Sequence, residues 1–220
     1  MMEKIITWMP QLLLGARTTI IITIIAVAVG LVLSFFLALG KMSKNPLLNK
    51  PCSAYIFFFR GTPLLIQIYF IYFGLPQFNP ALTIKSAFVA ALIAYTLNSA
   101  AYLAENIRAG IQSVDIGQME AGRSLGLPYW KTMRKIILPQ AIRTMIPSII
   151  NQFIITVKDT SILSVIGFPE LVLAAKNVQA GTFKSFETWT IVGIMYLIVI
   201  TILSYLAKMV ERRVNRGVKR

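Results

Sequence analysis

The sequence predicts an all-α integral membrane protein with five transmembrane helices. Of its 220 residues, 56% are hydrophobic and 14% are charged, and the mean hydropathy is +0.70. A soluble domain carries about 25% charged residues, so this composition is typical of a chain that lies largely in lipid. Two further observations give the number and the direction of the helices: apolar stretches of spanning length, and a bias of basic residues toward alternate loops.

Five stretches have the length that a helix needs to cross a bilayer, roughly 20 residues for about 30 Å of hydrocarbon. Three of them contain no charged residue. The second contains Arg60, and the fourth contains Lys158 and Asp159. We therefore predict one membrane domain over residues 1–220, with spans at residues 18–40, 51–73, 86–104, 144–168 and 188–207 and a polar loop at residues 105–143.

A different second span, residues 61–84, competes with residues 51–73. Pro63, Pro76 and Pro80 interrupt that stretch. Proline removes a backbone donor and disturbs the interior of a helix. The sequence therefore favours residues 51–73.

Basic residues determine the predicted orientation, because cytoplasmic loops are enriched in lysine and arginine. If the C-terminus is cytoplasmic, 15 basic residues lie on the inner side and five on the outer side. The inner set is Lys41, Lys44, Lys50, Arg108, Arg123, Lys131, Arg134, Lys135, Arg143, Lys208, Arg212, Arg213, Arg216, Lys219 and Arg220. The outer set is Lys4, Arg17, Lys85, Lys176 and Lys184. We therefore predict an N-terminus outside the cell, a C-terminus in the cytoplasm and a cytoplasmic loop at residues 105–143.

The composition also excludes several classes of function. The net charge of +14 mostly flanks apolar stretches, so it indicates membrane orientation rather than a nucleic-acid surface. The single Cys52 cannot form an internal disulfide, and a chain without histidine lacks the ligands of a zinc site. We also expect no cleaved signal peptide, because no small-residue cleavage site follows a short apolar core.

The polar loop carries the signals of a short helix. Asp115 and Gln118 have the spacing of a capping box, in which each side chain bonds to a backbone N–H of the first turn. Residues up to Leu125 suit a helix, and Gly126 follows where a left-handed residue would end it.

A second helix is predicted to follow at residues 129–137, with Pro128 in its first turn and Pro139 ending it before the next span. Ala121 and Gly122 leave one side of the first helix nearly bare, so a partner surface could approach its backbone closely. The alternative is an amphipathic helix that lies in the membrane interface and orients the bundle.

Residues 120–139 have the pattern E-A-G-x3-G-x9-I-x-L-P, which resembles the EAA loop of ATP-binding-cassette importer permeases. Three other segments resemble motifs of the polar-amino-acid branch of that family: residues 60–67, 98–105 and 158–161. The resemblance extends from about residue 14 to residue 209. One residue departs from it, because alanine is commoner at the position of Gly122.

The resemblance implies a type I importer permease fold in the plasma membrane. The short helix would be the coupling helix, which docks on an ATPase subunit. We expect the coupling residues to be Glu120, Ala121, Gly122, Arg123, Gly126, Leu138 and Pro139. Other implied partners are a second permease subunit and an extracytoplasmic substrate-binding protein.

The chain is not expected to be an enzyme or to bind a cofactor. It lacks the phosphate-binding pattern G-x4-G-K-[ST], so ATP would be used by a dimer of separate ATPase subunits. Transport would then follow from alternating access of a central cavity to the two sides of the membrane. An alternative is a secondary transporter driven by an ion gradient, but that class is normally built from inverted repeats.

Polar residues within the spans are candidates for the substrate path, because charge in lipid is costly and tends to face a cavity. The predicted set is Arg60, Gln67, Asn98, Ser99, Lys158, Asp159, Thr160 and Ser161. A path with both signs of charge suits an amino acid, which has an ammonium and a carboxylate. Alternatively, Arg60 clamps two helices or extends to the cytoplasmic headgroups, and Lys158 neutralises Asp159 at a helix break. Glu105 is predicted to pair with Arg108 at i,i+3.

Overall fold

The computed structural model describes the backbone of residues 2–215 and the side chains of residues 7–214. The side chain of Lys4 and the residues Arg216, Lys219 and Arg220, all used in the orientation prediction, lie outside these described parts. All regular elements in residues 2–215 are helical, as predicted. They are α1 (Met2–Met42), α2 (Pro46–Gly61), α3 (Leu64–Phe78), α4 (Ala87–Gln112), α5 (Ile116–Ser124), α6 (Tyr129–Ile166), α7 (Leu171–Thr182) and α8 (Ser185–Asn215).

Four described helices, α1, α4, α6 and α8, are each long and apolar enough to cross a membrane. The helices α2 and α3 are together long and apolar enough to form a fifth span, but α3 is bent by 106° relative to α2. The structure is therefore compatible with four or five spans. The count of five and the orientation stay predictions.

The predicted second span, residues 51–73, is not one straight helix. Thr62 has an extended backbone, with φ −118° and ψ 143°. Pro63 causes this break, because it has no N–H to donate to the carbonyl four residues earlier and it forces the preceding residue out of the helical region. We call Thr62 and Pro63 the elbow.

The prediction that Pro139 ends a helix was wrong, because α6 runs through it. The turn before Pro139, Met133–Ile137, is wider than an α-helical turn, and the N–H of Leu138 donates to the carbonyl of Met133, five residues back. Pro139 thereby enters the first turn of the next α-helical stretch, Leu138–Asp159. Proline is well tolerated in that position.

The helix α4 lies at the centre of the bundle. It packs most extensively against α1 and also contacts α2 and α6. Its buried face is rich in small residues, which allow helix backbones to approach closely in a membrane protein. The fully buried alanines on this face are Ala91, Ala94, Ala100, Ala101 and Ala104.

The helix α7 packs against the first half of α1. Glu170 caps α7: its carboxylate accepts the N–H groups of Val172 and Leu173, both at 2.7 Å. A Cβ atom on Gly15 of α1 would lie 2.9 Å from the Cα atom of Leu171. The two helices are therefore in backbone contact at Gly15.

Replacing Gly15 by alanine is expected to destabilise the bundle. The added methyl group would press on the backbone of α7, and overpacking costs about 1–3 kcal/mol. We expect the apparent melting temperature of the purified permease in detergent to fall by several degrees. Gly193→Ala is the matched control, because a Cβ atom there meets no described atom within 4 Å. Equal melting temperatures for the two variants would contradict the backbone contact.

Candidate functional site

A cavity of about 430 Å³ lies between the elbow, α4 and α6. Its size is within the range of small-molecule sites, about 300–1,000 Å³. Its polar lining residues come from the end of α2, the elbow, α4 and α6. They are Arg60, Thr62, Asn98, Tyr102, Gln152 and Asp159.

The cavity brings together one cation and one anion. Arg60 is exposed, and its guanidinium carbon lies 5.3 Å from the ring centroid of Tyr102, a cation–π distance. Asp159, which reaches the cavity from α6, is partly exposed. Neither residue forms an ion pair within the described side chains. The contact of Arg60 with Tyr102 joins α2 to α4, as the helix-clamp alternative predicts, and it leaves the guanidinium at the cavity without an ion-pair partner in the described structure.

The structure brings three of the eight predicted path residues to this cavity: Arg60, Asn98 and Asp159. Lys158 is exposed and does not line the cavity. It forms no ion pair with Asp159 in the described structure but interacts with it electrostatically, so the predicted alternative of a neutralised pair stays a prediction. Ser161 is partly exposed and is not among the lining residues.

Three other predicted path residues are buried in packing contacts. Ser99 faces α1, since a Cβ atom on Gly30 would lie 3.2 Å from its Cβ atom. Thr160 is fully buried, and its hydroxyl donates to the carbonyl of Val157 at 2.7 Å.

The third of these residues, Gln67, is 5% exposed. It lies in the first turn of α3, directly after the elbow. Its amide nitrogen Nε2 donates to the carbonyls of Phe59 at 2.9 Å and Thr62 at 3.0 Å, and to the Thr62 hydroxyl at 2.8 Å. Its amide oxygen accepts from Asn98 Nδ2 at 3.0 Å. Gln67 therefore holds the bend in place and is not on the wall of the cavity.

Three polar cavity residues were missing from the predicted path set: Thr62, Tyr102 and Gln152. Helical spacing could have found the last two. Gln152 lies seven residues before Asp159 on α6, and Tyr102 lies four residues after Asn98 on α4, so each shares a helix face with a predicted residue.

The predicted pair of Glu105 and Arg108 is present at one end of α4. Arg108 Nε donates to Glu105 Oε1 at 2.8 Å. The structure adds Lys41 of α1, whose Nζ donates to Glu105 Oε2 at 2.8 Å. The hydrogen bond from Arg108, together with Lys41, lowers the pKa of Glu105 to about 2. The carboxylate therefore stays ionised near neutral pH and ties α1 to α4.

The short helix α5 has the caps that the sequence predicts, with one exception. Asp115 Oδ1 accepts the N–H of Gly117 at 2.7 Å. The described structure shows no bond from the side chain of Gln118 back to Asp115. At the other end Gly126 is left-handed, with φ +79°, and the N–H of Leu127 donates to the carbonyl of Gly122 at 3.1 Å. This is the glycine-terminated cap that the sequence predicts.

Gly122 does not face a partner, contrary to the interpretation of a bare surface. It is buried, and a Cβ atom on it would lie 2.5 Å from Thr132 Cγ2 and 3.2 Å from Ile136 Cδ1. The missing side chain therefore lets α5 pack directly on the start of α6. Ala121 is exposed.

The outward surface of this region is apolar and charged. Ile116, Leu125 and Trp130 are 75%, 82% and 73% exposed. The remaining predicted coupling residues also lie at or near the surface: Glu120, Arg123, Gly126 and Pro139 are exposed, and Leu138 is half-buried. Exposed apolar side chains fit both interpretations that the sequence leaves open, a docking surface and a helix in the membrane interface.

Comparisons with known proteins agree on one family. The family model described as "Binding-protein-dependent transport system inner membrane component" matches residues 30–216. The glutamine transport system permease protein GlnP of Escherichia coli (strain K12) is 39% identical over 206 residues, covering 94% of this chain and 94% of that protein. The arginine transport system permease protein ArtQ of Bacillus subtilis (strain 168) is 38% identical over 206 residues, covering 94% and 93%.

A solved structure is similar over nearly the whole fold. The crystal structure of an amino acid ABC transporter with histidines matches with a TM-score of 0.91 and 42% sequence identity, covering 95% of this chain and 96% of that chain. The resemblance inferred from the motifs is confirmed, and so is the location in the inner membrane. The chain belongs to the family of inner-membrane permease components of binding-protein-dependent ABC transport systems.

Proposed function

We propose that this chain is the permease subunit of a type I importer that carries a polar amino acid across the plasma membrane by alternating access. ATP would be bound and hydrolysed by a separate ATPase dimer. A second permease subunit would complete the path, and an extracytoplasmic binding protein would deliver the cargo.

The observation that carries this proposal is the pair of opposite charges in one cavity. The guanidinium of Arg60 can bind a carboxylate in a bidentate manner, and the carboxylate of Asp159 can accept from an ammonium. Neither is engaged in an ion pair within the described structure. The amide of Gln152 and the amide oxygen of Asn98 add neutral hydrogen-bonding groups to the lining, while the Asn98 amide nitrogen bonds to Gln67. Similarity to permeases for glutamine and arginine supports the same cargo class.

Coupling to the ATPase is proposed to run through α5 and the start of α6. This region is held together from inside by the contact of Gly122 with Thr132, and it exposes Leu125 and Trp130. A partner groove that covers these side chains would move α6 together with α5. Such a unit can transmit the motion of a subunit that hydrolyses ATP.

The whole assignment is tested by reconstituting the permease in liposomes with its candidate ATPase and candidate binding protein. We expect amino acid uptake that needs ATP and is inhibited by vanadate. Uptake that resists vanadate and collapses with an ionophore would favour the ion-gradient transporter instead.

Asp159→Asn is expected to reduce uptake strongly. The change keeps the shape and removes the charge that would bind the substrate ammonium. Loss of a charge-assisted hydrogen bond costs about 1.5–3 kcal/mol, so uptake at limiting substrate should fall roughly 10- to 100-fold. Glu187→Gln is the matched control, because Glu187 lies outside the cavity in an exposed pair with Lys184 at 3.7 Å. Wild-type uptake by Asp159→Asn would remove Asp159 from the path.

A double variant, Glu120→Ala with Gly126→Ala, is expected to uncouple the permease from the ATPase. Alanine at Gly126 must adopt a left-handed backbone, which costs roughly 1–2 kcal/mol, and loss of Glu120 removes an exposed charge of α5. We expect less co-purification of the ATPase and less ATP hydrolysis stimulated by loaded binding protein. Gly181→Ala, in a helix with open space around it, controls for expression. Unchanged assembly and unchanged stimulation would refute the coupling role.

A further inference from the structure

Two buried side chains that do not line the cavity hold its two charged walls. On one wall, the Tyr95 hydroxyl donates to the backbone carbonyl of Asp159. On the other wall, Gln67 donates to the backbone carbonyl of Phe59, the residue before Arg60. Tyr95 is 1% exposed.

Each of these carbonyls lies where a helix changes course. In a continuous α-helix the carbonyl of Phe59 would accept from residue 63, but that residue is proline and has no N–H. Gln67 supplies the missing donor at 2.9 Å. Asp159 is the last residue of the α-helical part of α6, and a tighter 3₁₀ stretch begins at Thr160.

Both contacts depend on side chains of the same helix, α4. Tyr95 belongs to α4, and Gln67 is held by Asn98, three residues further along α4, through Asn98 Nδ2 to Gln67 Oε1 at 3.0 Å. Residues three apart lie on one helix face. One face of α4 therefore holds the backbone beside Arg60, through Gln67, and the backbone of Asp159, through Tyr95.

We propose that Tyr95 and Gln67 are positioning residues, which set the separation of Asp159 and Arg60 across the cavity and so govern how tightly it holds an amino acid. This inference rests on the proposed function. It assigns no contact with substrate to either side chain. Each acts through the charged residue beside the carbonyl that it holds.

Tyr95→Phe is the first test, because it removes one hydroxyl and leaves the ring. The assembled permease–ATPase complex, without binding protein, is equilibrated with radiolabelled glutamine, arginine or histidine, and the amino acid that the wild type holds tightest is used as probe. We expect binding to weaken roughly 3- to 10-fold, the worth of one hydrogen bond. Tyr205→Phe is the matched control, since it makes the same chemical change on α8, where Tyr205 is 65% exposed and is not among the residues that line the cavity. We expect it to bind like the wild type.

A double-mutant cycle separates positioning from a general loss of stability. In the Asp159→Asn background, Tyr95→Phe should change binding less than twofold, because the group that it positions has lost its charge. Gln67→Met should weaken binding in the wild type and lose its effect in the Arg60→Gln background. Effects that multiply independently in both cycles would overturn the proposal, and so would binding unchanged by Tyr95→Phe.

Failure of the proposed function would look different. In that case the wild-type complex would retain none of the three amino acids, or Asp159→Asn alone would bind like the wild type. Either result overturns the cavity as an amino acid site before the cycle is completed. Positioning alone fails when Asp159→Asn weakens binding but its effect is independent of Tyr95.

Discussion

The architecture depends on one constraint: a backbone carbonyl freed within an apolar bundle must find another donor. An unsatisfied polar group in hydrocarbon costs several kcal/mol. Pro63 frees the carbonyl of Phe59, and the side chain of Gln67 replaces the missing N–H. That replacement makes a 106° bend tolerable, and the bend brings Arg60 to the wall of a cavity. A break in a helix is thus converted into a site.

Much of the fold could be predicted from hydrophobic length, and the cap of α5 from local chemistry at Gly126. The prolines were harder, because their effect depends on the surroundings. Pro63 breaks a helix, whereas Pro139 and Pro147 lie within the α-helical stretch Leu138–Asp159. The local sequence shows where each proline lies, but it does not show that Gln67 donates to the carbonyl freed by Pro63 or that a wide turn precedes Pro139. The different effects of Pro63 and Pro139 therefore could not be predicted from the sequence.

The candidate site shows the same division. Of the three charged residues predicted within spans, Arg60 and Asp159 line the same cavity, whereas Lys158 does not. Gln67 and Ser99 are polar residues of the same spans, yet they serve packing and backbone satisfaction. Burial separates the two groups, and burial depends on which neighbours each face meets. Gly122 was predicted to leave a bare docking surface, but its lack of a side chain allows the contact between α5 and α6.

The continuous helix α6 connects the region beside α5 to the cavity. From Tyr129, beside α5, to Asp159, in the cavity, the chain remains one helix, roughly 45 Å long at 1.5 Å per residue. A displacement applied at one end therefore reaches the other by leverage, without a loop to absorb it. Under the proposed coupling, a displacement of the Tyr129 end would tilt Asp159 and the part of the cavity wall that it forms. The wide turn at Met133–Ile137 lies near the end of α6 that contacts α5.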